Sequence, residues 1–543
     1  MKRKAVAAVL TAVMVASMFT GCGSDKGSSS AKSTSAASAA NDTVDEDGKV
    51  NGIMYQEGLP LVDEGDYTFS IFCDDSSESG EFIMLDEFKK QTNVDVDLKI
   101  YPYETATERL NLDLNSGDYA DVIGGWTLSD NAILTYGVNQ GVFIPLEDYF
   151  EKYCPNISAI LDLPGVREKM TAPDGHIYTI PYVCTDTTVG YSPYINTKWL
   201  ENVGMSMPTT TDEFEAVLKA FKEQDANGNG DASDEIPFST DPNNKHIEAM
   251  AGYFGLPMNK LGIAIQNEKV VYGGVSDTYR EFLSWFHKLY AEGLVDVELY
   301  TQDSSTWEGK GNQDLYGVSI AYGSNEFTGI PAAEERGDFD SMPVLNTDKD
   351  GIWLRDTEGF SVYRTQAVIT NKAEHPEIIC RWFDNAFALE NGIGCNRGPV
   401  GVIVNKEDDG YHAIDTTTLS EEDQEKYSWG NLWPQSLPKY LPADFEFVEE
   451  HPMYDEKKAT EEAYEANLTK EIIPSYWIDL DKIDTFSDTN TAIKDFFEQQ
   501  QAQFVCGELD IDNDADWQAY VDGMYSLGLE DWVATQGIEE IAK

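Results

Sequence analysis

Strand and helix patterns alternate between residues 67 and 125, and this order restricts the fold more than any other feature. Strand patterns lie at 67–72, 94–100 and 121–123, and helix patterns lie near 81–91 and 107–116. In the first helix pattern, Phe82, Leu85 and Phe88 fall on one face. Strands that alternate with helices in this way form a largely parallel sheet covered by the helices. The sequence therefore predicts an α/β fold.

Size and charge narrow the class of protein. About 480 residues follow the N-terminal low-complexity region, more than one compact core accommodates, which indicates at least two lobes. The 543 residues include 97 acidic and 38 basic side chains, a formal charge of −59. Repulsion from phosphates excludes nucleic acid as a partner. The six cysteines beyond Cys22 lie far apart without a C-x-x-C pair, which indicates neither a zinc site nor a dense disulfide scaffold.

The N terminus has the pattern of an export signal. Lys2, Arg3 and Lys4 precede an apolar run over 5–19, and small residues lead to Cys22. This order predicts a secretory signal peptide over 1–21, too short for a comfortable membrane span. Residues 22–64 are rich in Ser, Ala, Gly, Thr and Asp, which predicts a flexible tether. A glycosylated, mucin-like stalk is the alternative.

An oxygen-rich loop follows a well-marked helix pattern. Thr210 and Glu213 have capping-box spacing, and apolar residues recur with helical period up to Phe221. Behind them, side-chain oxygens at alternate positions converge on one point, and a glycine in sixth place permits a sharp turn, as in a calcium loop. The predicted ligands are Asp225, Asn227, Asn229, Asp231, Asp234 and Glu235.

The loop departs from an EF-hand, because Ile236 stands where that motif has its bidentate Glu. An ordinary Asx-turn loop with solvated acids is the alternative. We predict one structural Ca²⁺.

This stretch resembles the large lipoprotein solute-binding proteins of Gram-positive ABC importers, which are related to alginate-oligosaccharide binding proteins. The family pattern is roughly N-x-x-W-L-x-x-L-G-x-x-x-P-T-T-x-x-E-F, then D-x-N-G-N-G-x-x-D-E-I-P. The matching residues are Asn196, Trp199, Leu200, Gly204, Pro208, Thr209, Thr210, Glu213, Phe214, Asp225, Asn227, Gly228, Asn229, Gly230, Asp234, Glu235, Ile236 and Pro237. One extra residue separates Gly230 from the Asp-Glu pair, so Asp231, Ser233 and Asp234 remain alternative ligands.

The resemblance implies a bilobal, type-II periplasmic-binding-protein-like fold, with two mostly parallel sheets joined by a hinge near 183–191 and 343–363. The expected domains are the signal peptide 1–21, the acylated Cys22 with its tether to 64, a first lobe over 65–185, a second lobe with the calcium loop over 186–350, and a return to the first lobe with C-terminal helices over 351–543.

The resemblance also implies a cellular location and a set of partners. Thr20-Gly21-Cys22 resembles a bacterial lipobox, in which the Cys22 thiol is acylated, although Phe19 stands where the family usually has Leu. Ordinary secretion with an incidental cysteine is the alternative. The expected protein is a monomer, held at the extracellular face of the cell membrane by its lipid alone. Its expected partners are a carbohydrate and the transmembrane subunits of an ABC permease.

Aromatic side chains at loop positions are the candidate ligand contacts, because flat sugar faces stack on aromatic rings while hydroxyls need polar partners. The aromatic candidates are Trp126, Tyr182, Trp307, Tyr322, Trp429 and Trp433. Asn396 and Arg397, in a Gly-rich loop over 392–401, are candidate polar contacts to hydroxyls or carboxylates. Core packing is the alternative for each ring, and an ordinary turn is the alternative for the loop.

No catalytic motif of the nucleophile-elbow, zinc-protease, P-loop or dinucleotide type occurs in the sequence. We therefore predict a binding protein that closes its lobes on a carbohydrate, most simply an oligosaccharide, and assign no catalytic residue. The alternative from another class is a lipid-anchored glycoside hydrolase. Such an enzyme needs two carboxylates at a fixed separation. A chain this rich in acids always contains two carboxylates, and their separation does not follow from the sequence.

Overall fold

The structure is a computed structural model that describes residues 42–75, 80–185, 187–241, 246–329, 337–414, 416–442, 445, 447–448 and 452–542. The predicted signal peptide and Cys22 lie outside the described residues. None of the described helices combines the length and the apolar character needed to cross a membrane.

Strands and helices alternate through most of the described chain. The strands are β1 Lys49–Val50, β2 Met54–Tyr55, β3 Tyr67–Asp74, β4 Val94–Tyr101, β5 Val122–Gly124, β6 Thr179–Thr185, β7 Ser192–Asn196, β8 Ile236–Thr240, β9 Ile263–Gln266, β10 Lys269–Tyr272, β11 Tyr316–Ala321, β12 Phe339–Ser341, β13 Trp353–Arg355, β14 Phe360–Ile369, β15 Val404–Glu407, β16 Gly410–Ala413, β17 Leu468–Ile472 and β18 Glu540–Ile541.

The α-helices are α1 Ile83–Thr92, α2 Tyr103–Ser116, α3 Asp130–Ala132, α4 Glu147–Tyr153, α5 Pro155–Leu161, α6 Val166–Met170, α7 Thr197–Val203, α8 Thr211–Glu223, α9 Asp277–Ala291, α10 Ser304–Asn312, α11 Asn325–Thr328, α12 Pro376–Ala386, α13 Leu389–Arg397, α14 Glu421–Lys426, α15 Pro452–Tyr464, α16 Ile483–Cys506, α17 Asp514–Ser526 and α18 Leu529–Thr535. A π-helix spans Ile133–Asn139, and 3-10 helices span Ile247–Phe254, Thr416–Thr418, Trp429–Asn431, Glu465–Asn467 and Leu480–Lys482.

The first sheet has five strands in the order β4-β3-β5-β14-β6. The predicted β-α-β-α-β order is confirmed over 67–124, where β3 pairs in parallel with both β4 and β5. The sheet is more mixed than predicted, because β14 pairs antiparallel with β5 and with β6. The chain passes through the second sheet before β14 joins the first one, and β14 then runs opposite to its neighbours β5 and β6.

The second sheet has four strands in the order β12-β7-β11-β8, with β11 parallel to β8 and antiparallel to β7. Helix α8 packs on it as predicted, burying Phe214, Val217, Leu218 and Phe221. The Thr210 hydroxyl accepts the N–H of Glu213 (3.2 Å) and so caps the helix. The spacing of apolar residues thus gave both the helix and its buried face.

Each sheet has its own apolar core. One core joins β3, α1, α4, α5 and α12 around the first sheet, and another joins α8 and α9 around the second. The C-terminal helices α16, α17 and α18 belong to the second core, to which they contribute Phe497, Tyr520 and Trp532. The last part of the chain therefore completes the second core after β14 has completed the first sheet.

The predicted tether extends too far. Val50, Met54, Leu61 and Val62 are buried in the first core, and β1 pairs with β2 in a hairpin. The Arg381 guanidinium donates to backbone carbonyls of this segment, including that of Gly58 at 2.9 Å. Residues 42–64 thus have enough apolar side chains to form structure, which their polar average composition conceals.

Two connections between the sheets run side by side. The first follows β6 into β7, and the second leads through Asp356 into β14. The Asp356 carboxylate accepts the N–H of Gly190 (2.7 Å), and the Asp356 N–H donates to the carbonyl of Thr188 (3.0 Å). These hydrogen bonds hold the two connections together.

Candidate functional site

Aromatic rings gather at the carboxyl end of β5 and β6 in the first sheet. Trp126 meets Tyr363 edge to face, with ring centroids 5.3 Å apart, and Tyr363 stacks on Tyr182 at 5.5 Å. Trp126 keeps 46% of its surface exposed. We call Trp126, Tyr182, Tyr363 and Trp429 the first aromatic cluster. Tyr363 lies opposite Tyr182 in the β14–β6 pairing.

Backbone contacts at the end of β3 fix the position of Trp126. The Asp74 carboxylate accepts the N–H groups of Trp126 (3.0 Å) and Thr127 (2.6 Å). Burial raises the pKa of Asp74, and these hydrogen bonds act in the opposite direction by stabilising the charged form. The backbone at Trp126 is therefore held by a buried carboxylate, while the half-exposed ring faces solvent.

A lysine links the rest of the first aromatic cluster. The Lys439 ammonium lies 5.8 Å from the Tyr182 ring centroid and 5.7 Å from that of Trp429. Trp429 is 48% exposed, whereas Lys439 is 2% exposed. Burial lowers the pKa of Lys439. The cluster thus combines exposed rings with a buried cation.

A small cavity of about 240 Å³ lies beside Tyr363, and Asp130 and Arg364 are among its lining residues. The Arg364 guanidinium binds the Asp130 carboxylate through two nitrogens, at 2.8 and 2.5 Å, and lies 4.1 Å from the Trp477 ring centroid. This wall of the site is therefore fixed by a bidentate ion pair.

A second aromatic cluster, which we define as Tyr191, His246 and Tyr322, lies where β11 ends and β7 begins. Tyr191 stacks on His246 with centroids 4.0 Å apart, and its edge meets Tyr322 at 6.0 Å. Burial lowers the pKa of His246 to about 3, so this ring is neutral at physiological pH.

Charged groups buried behind Tyr322 join this cluster to the connection between the sheets. The Lys457 ammonium donates to the carbonyls of Val189 (3.2 Å), Gly190 (2.7 Å) and Tyr322. Glu326 accepts the N–H of Tyr322 (2.9 Å). Burial raises the pKa of Glu326 to about 7 and lowers that of Lys457 to about 8.

Two predicted ligand contacts are wrong, because their rings are in the core. Trp433 is fully buried, stacks on Trp382 at 5.6 Å, and donates its indole N–H to the carbonyl of Leu437. Trp307 is buried beside Phe327 and donates to the Ser319 hydroxyl (3.2 Å). Neither ring has surface to offer a ligand.

The predicted Gly-rich loop over 392–401 is also wrong in its first half, which is the end of helix α13. The Asn396 amide donates to the carbonyl of Gly392 (2.8 Å) within that helix, and the Arg397 guanidinium lies 5.6 Å from the Phe447 ring. Neither contact belongs to an aromatic cluster. By contrast, Tyr363 and Lys439 were not predicted, since their role arises from strand pairing and burial.

Side-chain oxygens in the loop over 225–235 accept backbone N–H groups of the same loop. Asp225 Oδ2 accepts the N–H of Gly230 (3.0 Å), Asn227 Oδ1 that of Asn229 (3.0 Å), and Asn229 Oδ1 that of Asp231 (2.7 Å). The φ of +96° at Gly230 places this turn in the left-handed region. An amide oxygen has two lone pairs, so each Asn oxygen keeps one for a cation.

The acids that close the loop occupy different environments. The Asn227 and Asn229 amides both donate to Asp234, at 3.3 and 2.7 Å. Glu235 Oε1 accepts the N–H of Ala226 (2.9 Å), while its buried Oε2 has no hydrogen-bond partner among the described residues. Asp231 instead accepts the N–H and hydroxyl of Ser233. This donor set fits a hard cation, since Glu235 has an unused buried oxygen facing no donor.

Comparison with known proteins places these features in a family. Residues 76–392 match the model of the family described as bacterial extracellular solute-binding protein. The chain is 33% identical over 335 residues to the fructooligosaccharide ABC transporter substrate-binding protein FusA of Streptococcus pneumoniae. That alignment covers 60% of this chain and 61% of the relative, so the chain spans about three fifths of the length of that curated protein.

Solved structures extend the similarity over more of the chain. S. pneumoniae FusA in complex with kestose is similar with a TM-score of 0.76 and 26% identity, covering 86% of this chain and 98% of that one. An EF-hand mutant of FusA in complex with fructo-nystose gives 0.74 and 27% over the same shares. The alginate-binding protein AlgQ2 shares the fold, with a TM-score of 0.69 and 22% identity over 89% of this chain and 99% of that one.

Proposed function

The chain belongs to the family of bacterial extracellular solute-binding proteins, and we propose that it is the substrate-binding component of an ABC importer for an oligosaccharide. The observation that carries this proposal is the pair of aromatic clusters at the carboxyl ends of strands in the two sheets. This is where open α/β sheets bind ligands. The fructooligosaccharide relative supports a carbohydrate as the ligand.

Capture by closure of two lobes follows from the same arrangement. We take the first lobe as 42–185 with β14 and α12 of the later chain, and the second as 186–350 with the C-terminal helices α16, α17 and α18. Trp126 and Tyr182 line the cleft from one lobe and Tyr322 from the other. A sugar that touches both clusters only in the closed form has the differential affinity that shifts the hinge equilibrium. The permease subunits then receive the ligand from the closed form.

Removal of the exposed indole tests the site. Trp126→Ala is expected to weaken oligosaccharide binding by about 1 to 3 kcal/mol, the contribution of one large side chain that the ligand buries. Titration calorimetry measures the change. Tyr525, 42% exposed on α17 and outside both clusters, provides the matched control Tyr525→Ala. Equal affinities for wild type and Trp126→Ala would remove this cluster from the site.

Binding without chemistry separates this function from the glycoside hydrolase alternative. A binder gives a saturable change in tryptophan fluorescence and returns the ligand intact, whereas a hydrolase consumes it. Chromatography of the ligand after prolonged incubation decides between the two. Steady appearance of shorter sugars, or scattering that shows no compaction with any bound glycan, would overturn the closure model.

A lipid on Cys22 provides the anchor at the extracellular face of the membrane. The support is the order of basic, apolar and small residues that ends in Thr20-Gly21-Cys22. Since each buried methylene contributes about 0.8 kcal/mol, two or three acyl chains hold a protein at a membrane. The protein works there as a monomer.

Substitution of the acylated cysteine is expected to release the protein. Cys22→Ala should appear in the medium or accumulate with its signal peptide uncut, because no thiol remains to be acylated. Fractionation and mass spectrometry of the N terminus measure this. Normal processing and membrane retention of the variant would favour ordinary secretion with an incidental cysteine.

One Ca²⁺ in the loop over 225–235 completes the proposal. Asp225, Asn227 and Asn229, the Asp231 carbonyl, and one or both of Asp234 and Glu235 would hold it. The closely spaced oxygen-bearing side chains of the loop support this ion, as does the Glu235 oxygen that has no hydrogen-bond partner among the described residues. The existence of an EF-hand mutant of the FusA relative supports it too. The role is structural, because the loop connects α8 to β8 of the second sheet.

A further inference from the structure

Lys439 is an exception among the buried cations of the described structure. Lys457 is 6% exposed, but its ammonium donates to three backbone carbonyls. Arg364 is equally buried and is neutralised by Asp130. The contacts of the Lys439 ammonium within the described residues are the rings of Tyr182 and Trp429, with no hydrogen-bond acceptor among them.

A buried lysine without an acceptor among the described residues is unexpected in this chain, where acidic residues outnumber basic ones by 97 to 38. Lysines such as Lys49, Lys219 and Lys310 all form ion pairs with carboxylates. A buried ammonium that lacks an acceptor is costly, and cation–π contacts compensate only in part. A group from outside the chain is therefore the natural partner of this cation.

The charges around Lys439 favour an anionic partner. Asp75 attracts the ammonium, but the Asp75 carboxylate accepts the N–H of Gln435 (2.8 Å), and Arg397 adds a second positive charge nearby. The remaining titratable neighbours are the thiols of Cys184 and Cys395. A carboxylate that reached Lys439 would meet its ammonium beside the rings of Tyr182 and Trp429, and the positive charge of Arg397 would add to the attraction.

We propose that Lys439 binds a carboxylate of the ligand, so that the substrate class is an acidic oligosaccharide containing uronic acid. This inference rests on the proposed function. A sugar that packs against the first aromatic cluster comes close to this ammonium, which lies over the rings of Tyr182 and Trp429. An ammonium and a carboxylate in such a water-poor place form a charge-assisted hydrogen bond, which is stronger than one to a hydroxyl.

Matched sugars test the charge without changing their shape. The panel consists of trisaccharides of galacturonate, mannuronate and glucuronate, each paired with the neutral trisaccharide made by reducing its carboxylates to hydroxymethyl groups. Calorimetry on the wild-type protein is expected to show binding of at least one acidic member, with the neutral counterpart about ten- to a hundredfold weaker. The isosteric variant Lys439→Met is expected to remove that preference and to bind both members alike.

The stability of the variants keeps the test interpretable. Lys439→Met is expected to melt no lower than wild type, because it removes a buried charge that has no acceptor in the described part of the chain. Lys457→Met leaves three carbonyls without their donor and is expected to melt lower. Equal or tighter binding of the neutral members, unchanged in Lys439→Met, would overturn the inference and leave the proposed function standing. Failure of every acidic member to bind would overturn the inference alone, because the proposed function does not require a charged ligand.

Discussion

Replacing Trp433 by alanine is expected to lower the free energy of unfolding by about 3–5 kcal/mol, the range for large aromatic residues removed from a core. The Trp433 ring is fully buried and packs against Trp382 and Phe88, with centroids 5.6 and 5.0 Å away. Trp382 and Phe88 are themselves fully buried, so they move only partly into the cavity that the alanine leaves. Urea unfolding followed by circular dichroism measures the difference.

Trp429, four residues earlier, is the matched control. Its ring is half exposed and contacts Lys439, so Trp429→Ala is expected to change stability by about 1 kcal/mol or less while weakening ligand binding. The two variants separate a core role from a ligand role. A Trp433→Ala protein as stable as wild type but unable to bind sugar would restore the ring to the ligand site.

These two tryptophans show where sequence reasoning about the site stops. Both were predicted as ligand contacts on residue type alone, but a 3-10 turn over Trp429–Asn431 and the following Pro434 give them different surroundings. By contrast, Trp126 was placed correctly at the end of a strand, because Val122 and Ile123 mark β5 by their own apolar run. Exposure depends on contacts that are distant in sequence, and a single sequence does not contain them.

The fold divides in the same way between local and long-range information. Helix α8 and the run from β3 to β5 follow from periodicity within short windows. The antiparallel entry of β14 depends on where the chain returns after building the second sheet. Tyr363 joins the first aromatic cluster only through that return, which is why the sequence did not single it out.

The glycines over 392–401 show a further limit. They were read as signs of a loop, but Gly392 and Gly394 lie inside α13. A Cβ at Gly392 would lie 2.0 Å from the Tyr440 carbonyl oxygen, and one at Gly394 would lie 2.6 Å from the end of Met84. The close approach of the Tyr440 backbone, rather than a turn, requires glycine at position 392, whereas the flexible end of Met84 can move away from a side chain at 394. Only the folded structure distinguishes such a packing requirement from a turn.

Chelation of calcium is expected to destabilise the protein by about 2.7 kcal/mol when the free ion was present at a hundredfold excess over its dissociation constant, and by about 4.1 kcal/mol at a thousandfold excess. A cation that binds the folded loop and not the unfolded chain stabilises by this amount. The loss should appear as a lower melting temperature on adding chelator, and returning Ca²⁺ in excess should restore it.

Substitution in the loop connects this effect to particular ligands. Asp225→Ala is expected to melt at one temperature with and without chelator, because the loop loses a carboxylate that also accepts the N–H of Gly230. Asp510 is the control, since it is also an exposed acid that accepts a backbone N–H, from Asp512 at 3.1 Å, and Asp510→Ala should keep the full calcium effect. If chelator leaves the melting of the wild-type protein unchanged, the oxygens of 225–235 serve only their own Asx turns, and the fold of the second sheet does not depend on a metal.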